Sequence, residues 1–247
     1  MDRNLLEKYR LELRTYAAEL SEEMVRYIDL HWQRFTNLAN RIDQIIKEYS
    51  IDVETLRLLD IGPSFQTMLI NRLWPGARLD TFGFYDPKFP NPKNGFHIPF
   101  DLNKTSDKSS KINTEPYDII IMAEVIEHLY TSPHYVFSFI SSILKPGGYF
   151  IISTPNGVSL QKRLKMILGI NPSELIREKL DDPGHFREYT PSELTEYAKP
   201  LGLTLHEQWT GYDATPLSVK QNILKKATPF LPSSLREHFT VVYKKKI

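Results

Sequence analysis

Residues 57–70, Arg-Leu-Leu-Asp-Ile-Gly-Pro-Ser-Phe-Gln-Thr-Met-Leu-Ile, leave a chain few folds to choose from. Leu58, Leu59 and Ile61 form a short apolar run around Asp60, the pattern of a strand buried in a parallel sheet. Gly62-Pro63-Ser64 then breaks the chain in a tight turn. From Phe65 onward, Met68, Leu69 and Leu73 recur at helical spacing. Strand, glycine turn and helix make the first half of a βαβ unit. Ligands of open α/β sheets bind at the carboxyl ends of strands beside such a turn, where the first N–H groups of the helix lack partners.

The alternation continues downstream. Pro75-Gly76 is a turn, and Ala77–Phe84 reads as a second strand running into Tyr85-Asp86-Pro87. A proline-rich loop follows, then a short strand from His97 that ends near Asp101. Residues 103–116 are polar. Tyr117–Met122 is the cleanest buried strand, and Glu124–Leu129 opens a turn or helix. Tyr135–Leu144 reads as a helix stopped by Lys145-Pro146-Gly147-Gly148. Tyr149–Ser153 is the next strand, closed by Thr154-Pro155-Asn156. About six such pairs predict an α/β fold with a doubly wound parallel sheet. Residues 158–189 break the rhythm as a helical insertion. Leu160, Leu164, Ile167 and Leu168 are apolar at helical spacing among Lys162, Arg163 and Lys165, and a second short helix is expected between Pro172 and Asp182. Thr190-Pro191-Ser192-Glu193 is a helix start with cap, proline and capping box. Gly202–Leu205 returns to the sheet.

The core pattern spans residues 51–212, flanked by two extensions. Residues 1–50 contain neither glycine nor proline and carry apolar stripes, such as Ile28, Trp32 and Phe35, at helical spacing. They are read as helices that lid the site, join two copies as a homodimer, or pad the core. Residues 213–247 are proline-punctuated and basic, with Lys220, Lys225, Lys226, Arg236 and Lys244–Lys246. Such a tail usually faces solvent; peripheral contact with phosphates or lipid headgroups is the sharper reading. A net charge of +1 creates no field demanding nucleic acid. The chain has no cysteine, which excludes disulfides and thiolate metal sites. No apolar run is long enough for a membrane span, and no signal-peptide core stands at the N-terminus, so a cytoplasmic protein is expected.

Four stretches, in order and suitably spaced, resemble the class I S-adenosylmethionine-dependent methyltransferases. They are Leu58–Ser64, Tyr117–Leu129 (Tyr-Asp-Ile-Ile-Ile-Met-Ala-Glu-Val-Ile-Glu-His-Leu), Leu144–Asn156 (Leu-Lys-Pro-Gly-Gly-Tyr-Phe-Ile-Ile-Ser-Thr-Pro-Asn) and Gly184–Leu194 (Gly-His-Phe-Arg-Glu-Tyr-Thr-Pro-Ser-Glu-Leu). The resemblance covers about residues 55–208 and implies a seven-stranded Rossmann-like sheet with S-adenosylmethionine over its first strands. It implies that Asp60, Gly62 and Pro63 border the methionine half of the cofactor. Asp86 would take the ribose hydroxyls, a task suited to a carboxylate because it accepts two hydrogen bonds from a diol. Asp101 and Leu102 would sit at the adenine, and Ala123 and Glu124 would line the cofactor and face the substrate. One departure stands out. The family's first turn carries several glycines, whereas here only Gly62 remains. Pro63 removes an N–H donor, and Phe65 puts bulk where the backbone normally approaches the ligand. No Gly-x-Gly-x-x-Gly exists in the chain, which lowers the dehydrogenase reading.

Methyl transfer from a sulfonium is an in-line displacement that needs alignment and often a base. The candidate catalytic groups are Glu127, His128 and His185. On a helical turn Glu124, Glu127 and His128 share a face, and His185 precedes the capped helix. Two carboxylates and two imidazoles suit a divalent cation such as Mg²⁺, Mn²⁺ or Zn²⁺. Glu-x-x-Glu-His with a later histidine also resembles two metal-using branches, the ubiquinone-pathway O-methyltransferases and the small-RNA 2′-O-methyltransferases, which implies Glu124, Glu127, His128 and His185 as ligands. The plainer reading keeps Glu127 as a helix-start acid and His128 as a structural residue or metal-free base. His31, His97, His134, His206 and His238 lie outside the cluster and read as structural or surface residues. The leading expectation is an O-methyltransferase acting on a sugar, a glycolipid intermediate or another small hydroxylated metabolite. The alternatives are a metal-dependent RNA 2′-O-methyltransferase and a non-catalytic binding module.

Overall fold

The computed structural model describes residues 1–107, 112–179, 184–211 and 219–247. The chain divides into two compact units, Met1–Pro99 with Asp213–Ala227, and Phe100–Tyr212 with Thr228–Ile247. Between them they supply seven strands to a mixed sheet with flanking helices.

The first unit opens with helices α1 (Arg3–Leu20) and α2 (Glu22–Glu48). Ser21 separates them in an extended conformation and caps α2 by accepting from Met24 N. Strands β1 (Arg57–Ile61), β2 (Arg78–Gly83) and β3 (His97–Pro99) pair in parallel in the order β3-β2-β1, and helix α3 (Phe65–Leu73) connects β1 to β2. Both N-terminal helices pack on α3. Their apolar stripes, Leu6, Leu13 and Ala17 on α1 and Ile28 through Ile46 on α2, are buried. Tyr9 Oη donates to Arg72 O at 3.1 Å and Tyr16 Oη to Lys88 O at 2.7 Å. Residues 1–50 are therefore a helical pad on this unit.

The second unit is built on β4 (Tyr117–Ala123), whose residues Ile119–Met122 are fully buried. Helix α4 (Pro133–Ile143) is capped by Ser132 and leads into β5 (Leu144–Pro155). Helix α5 (Leu160–Ile167) follows, and then α6 (Pro191–Ala198), which starts at the expected capping box. Thr190 N donates to Glu193 Oε2 at 2.8 Å, and Glu193 N returns a bond to Thr190 Oγ1 at 3.3 Å. Strand β6 is Leu203–Gly211; helix α7 (Val219–Ala227) belongs to the first unit. The last strand, β7 (His238–Lys245), lies antiparallel between β5 and β6.

Three expectations are corrected here. The sheet is not wholly parallel, because β7 enters it antiparallel to both neighbours. The segment 213–247, expected as a basic extension, supplies that strand. Phe239, Val241, Val242 and Tyr243 are fully buried, and burying this β-branched and aromatic run outweighs the local charge. Arg236 and Lys245 spend their cations on backbone carbonyls: Arg236 on Leu231 and Thr210, Lys245 on Ser141 and Leu144. Finally, no second helix forms in the insertion among the described residues 171–179. Glu174 instead turns to accept from His185 N at 2.8 Å. Residues 180–183 of the insertion, 108–111 of the polar loop and 212–218 lie outside the described residues.

Candidate active site

The β1–α3 turn is built on one hydroxyl. Thr67 Oγ1 donates to buried Asp60 Oδ2 at 2.6 Å and accepts from Ser64 N at 2.8 Å, while Ser64 Oγ caps the helix at Gln66 N. Burial pushes the Asp60 carboxyl up to about 7. Gly62 has φ +80°, a conformation that disfavours a side chain, and its N–H donates to Phe82 O at 2.9 Å. Phe65 does not project from the turn. Its ring is fully buried against Tyr16, Tyr27 and Phe89, with centroids at 6.5, 6.2 and 5.2 Å. The α1–α2 pad thus receives the bulk that the sequence seemed to place at the turn. Asp86 stands three residues beyond β2 and is half exposed; it accepts from Lys88 N at 3.0 Å and pairs with Lys88 Nζ at 3.3 Å. Its remaining lone pairs suit a diol.

The other predicted cofactor residues lie in the second unit. Asp101 caps a short 3₁₀ turn, Leu102–Lys104, by accepting from Asn103 N at 3.0 Å, and Leu102 is buried. Asn103 in turn accepts from Tyr130 N and Thr131 N, at 2.8 and 3.2 Å, tying that turn to the segment after His128. Ala123 ends β4, and Glu124 follows at φ +55°. A non-glycine residue in the left-handed region costs about 1–2 kcal/mol, and such strain concentrates at functional positions.

That backbone twist overturns the helical-face geometry expected for residues 124–128. Only Ile126–His128 form a 3₁₀ turn, and Glu124 stands outside it. Glu124 N donates to Ser153 O at 2.9 Å. Its carboxylate Oε1 accepts from Ser153 Oγ at 3.2 Å and from His238 Nε2 at 2.7 Å. Glu127 goes the other way, into the protein. Thr154 Oγ1 donates to its Oε2 at 2.9 Å, and Oε1 is buried without a hydrogen-bond partner among the described residues. Burial, then the nearby Glu124 charge, pushes the Glu127 carboxyl up to about 8. The backbone oxygen of Glu127 accepts from Phe186 N at 2.8 Å and Arg187 N at 3.3 Å, which draws the segment carrying His185 to this turn.

Both histidines are fixed through Nδ1. His128 Nδ1 lies 3.0 Å from Gly184 O, and His185 Nδ1 lies 3.0 Å from Glu188 Oε1. A carbonyl or carboxylate only accepts, so each Nδ1 carries a hydrogen and Nε2 is the ring nitrogen left to other partners. Gly184 has φ +87°, a conformation that disfavours a side chain and sets the carbonyl that holds His128. The rings meet edge to face with centroids 4.8 Å apart. Burial, and then the neighbouring His128, hold the His185 imidazole below its usual range, which favours the neutral form. Lys162 of α5 pairs with Glu188 and donates to Asn156 O at 3.1 Å; burial lowers its ammonium to about 8. Glu127, His128 and His185 each offer a ligand atom within 4.8 Å of the others, and Glu124 is not in that group.

Four features escaped the sequence. His238, read as structural or surface, holds Glu124. Thr154, which closes β5, holds Glu127. Glu188 orients His185. Tyr130 and Phe186, both exposed, pack edge to face at 5.7 Å, each two residues or fewer from a site histidine. Only the last carried a sequence signal: exposed aromatics beside His-containing turns.

Residues 11–208 match a family model described as a methyltransferase domain. The chain belongs to that methyltransferase family. A probable S-adenosylmethionine-dependent methyltransferase of Mycolicibacterium smegmatis is 31% identical over 90 residues, which are 36% of this chain and 30% of that relative, so the match spans under a third of the relative's length. The methyltransferase also shares its fold with solved structures. Magnesium protoporphyrin IX methyltransferase of Synechocystis PCC 6803, solved with bound SAH, aligns with TM-score 0.56 at 10% identity over 88% of this chain and 86% of that one. A putative sarcosine dimethylglycine methyltransferase of Galdieria sulphuraria aligns with TM-score 0.51 at 14% identity, over 85% and 86%. The class I resemblance and the seven-stranded Rossmann-like fold read from the sequence are both upheld.

Proposed function

We propose that the protein is an S-adenosylmethionine-dependent O-methyltransferase that acts on a sugar, a glycolipid intermediate or another small hydroxylated acceptor, with His128 as general base. The observation that carries this reading is the pair of imidazoles pinned through Nδ1, which leaves Nε2 of each as the nitrogen to take a proton. In the proposed step the acceptor oxygen attacks the donor methyl carbon. The O–C bond forms as the C–S bond breaks, its electron pair stays on sulfur to leave S-adenosylhomocysteine, and the hydroxyl proton passes to His128 Nε2. Glu188 steadies His185, and the exposed Tyr130–Phe186 pair offers faces against which a sugar ring packs.

In this reading Asp60, Gly62 and Pro63 border the methionine half of the donor, Asp86 takes the ribose, Asp101 and Leu102 the adenine, and Ala123 and Glu124 line it from β4. The stowing of Phe65 under the α1–α2 pad supports an open first turn. It weighs against the non-catalytic module.

A divalent cation fits the Glu127, His128 and His185 donors. The orphaned Glu127 Oε1 lacks any other partner among the described residues. Two imidazoles and one carboxylate suit Zn²⁺, Mn²⁺ or Fe²⁺ better than Mg²⁺, which prefers oxygen ligands. An ion held there would occupy the His128 Nε2 lone pair, so it would replace that base rather than assist it, by lowering the pKa of a coordinated hydroxyl. The RNA reading gains no support from α5, whose cations alternate with aliphatic residues rather than the aromatic platforms that stack bases.

The test is calorimetric titration of S-adenosylmethionine together with methyl transfer to free-sugar and glycolipid acceptors. His128→Gln keeps cofactor affinity and loses turnover by about 10²–10⁴-fold. Absence of cofactor binding by the folded wild type refutes the enzyme. Full turnover in His128→Gln refutes the base.

A further inference from the structure

Helix α5 and the segment after it expose an apolar surface that the acceptor chemistry does not use. Leu164, Met166, Ile167, Leu168, Ile170, Leu175 and Ile176 are all exposed, with Ile167 at 79%, Leu168 at 74% and Leu175 at 90%. No residue of α5 is buried. Large apolar side chains rarely cluster on a surface without a partner. Between Val158 and Ile176 the sequence has three cations, Lys162, Arg163 and Lys165, and one acid, Glu174, which is paired with Arg177 at 2.9 Å and accepts from His185 N at 2.8 Å. Lys162 turns inward to Glu188, while Lys165 is exposed and Arg163 half exposed. Among the described residues Arg163 bonds carbonyl oxygens, those of Val158 at 2.7 Å and Ser234 at 3.4 Å, which leave its charge unneutralised.

We infer that α5 and residues 168–176 dock on an anionic lipid surface. The chemistry favours a lipid surface over a folded partner. The exposed side chains are flexible aliphatics on a short helix followed by irregular chain through Gly169 and Pro172. Protein interfaces instead centre on aromatic and arginine anchors fitted into rigid pockets. A fluid bilayer boundary accepts an irregular apolar surface without shape complementarity, and cations beside the apolar residues suit anionic headgroups. Among the described residues no helix is long and apolar enough to cross a membrane, and the proposed contact is peripheral. Through Lys162 and Glu188 the docking helix is joined to the carboxylate that orients His185. The inference stands apart from the choice of acceptor, and its readout requires no turnover.

The test is co-sedimentation of the full chain with phosphatidylcholine vesicles and with vesicles of phosphatidylcholine mixed with phosphatidylglycerol. Sedimentation velocity without lipid is run alongside. The substitutions I167D and L168D fall on exposed side chains and spare the core. The wild type is expected to pellet with the mixed vesicles, less so as salt is raised. The double variant is expected to lose about a hundredfold in partitioning, from two apolar side chains withdrawn, while keeping its unfolding midpoint. A wild type that stays in the supernatant overturns the inference. So does a double variant that binds as well as the wild type. A wild-type dimer that the double variant converts to monomer also overturns it, because the surface is then an interface between copies.

Discussion

Glu127→Gln isolates the energetic consequence of placing an acid where Glu127 sits. The carboxyl is fully buried, accepts from Thr154 Oγ1 at 2.9 Å, and is raised from 4.5 to about 8, by burial first and by Glu124 second. The folded protein therefore holds this proton more tightly than the unfolded chain. Stability from this group is fully present below the unfolded pKa near 4.5 and is lost as pH rises towards about 8. Above that it is constant. One proton held in this way gives a slope of about 1.4 kcal/mol per pH unit, so the loss between about pH 5 and about pH 7 is about 2–3 kcal/mol. Glutamine keeps an acceptor for Thr154 but does not titrate. It also places two N–H donors where Oε1 has no partner, a pH-independent cost of about 1–3 kcal/mol. The offset between the two proteins is therefore uninformative, and its pH dependence carries the test. Urea denaturation of both proteins in EDTA should show the wild type losing about 2–3 kcal/mol more than the variant across that interval. A difference that stays flat with pH refutes the buried neutral acid and, with it, the assignment of Oε1 as an unsatisfied atom.

Metal binding should invert this pH trend, because a ligating Glu127 must release its proton. Zn²⁺ affinity, measured against a chromophoric chelator, is expected to rise about tenfold per pH unit between about pH 6 and about pH 8, and a flat profile argues against Glu127 as ligand. Glu124→Gly and Glu124→Ala both remove the bond to His238, but only glycine relieves the φ of +55°. The glycine variant should be up to about 1 kcal/mol more stable than the alanine variant by urea denaturation, with turnover lost in both; an alanine variant more stable by about 0.4–1 kcal/mol shows that no strain is stored there. Phe65→Ala empties the ring cluster under the pad and should cost about 3–5 kcal/mol, and a cost below about 1 kcal/mol would mean that the cluster collapses without it.

The fold was legible wherever burial is local. Leu58–Ile61 and Tyr117–Met122 are apolar runs too short for helices, and the Thr190–Glu193 capping box fixed the start of α6. The last strand was missed for a physical reason. Phe239–Tyr243 carries a strand composition, but it lies between a proline-rich stretch and three lysines, and composition over the whole segment masked the run. The second helix expected in the insertion does not form among residues 171–179, where Glu174 accepts from the backbone of His185.

The site divides along the same line. The conjunction of His128 and His185 came from resemblance, because nothing in the spacing of two distant histidines shows that Phe186 N and Arg187 N bond to Glu127 O. The position of Glu124 was misread because spacing of three and four residues implies a common face only if the backbone stays helical. A single left-handed residue at 124 parts the two acids. One carboxylate goes to a histidine on β7, the other into the core beside Thr154. Two acids on one face would share solvent and ionise together, whereas parted acids experience different environments. Glu124 is half buried and hydrogen-bonded by His238 and Ser153, and its proximity helps push the Glu127 carboxyl up. Ionised and neutral carboxyl groups a few residues apart are what a site needs to carry a fixed charge and a removable proton at the same pH. The left-handed turn, at a cost of about 1–2 kcal/mol, separates those roles.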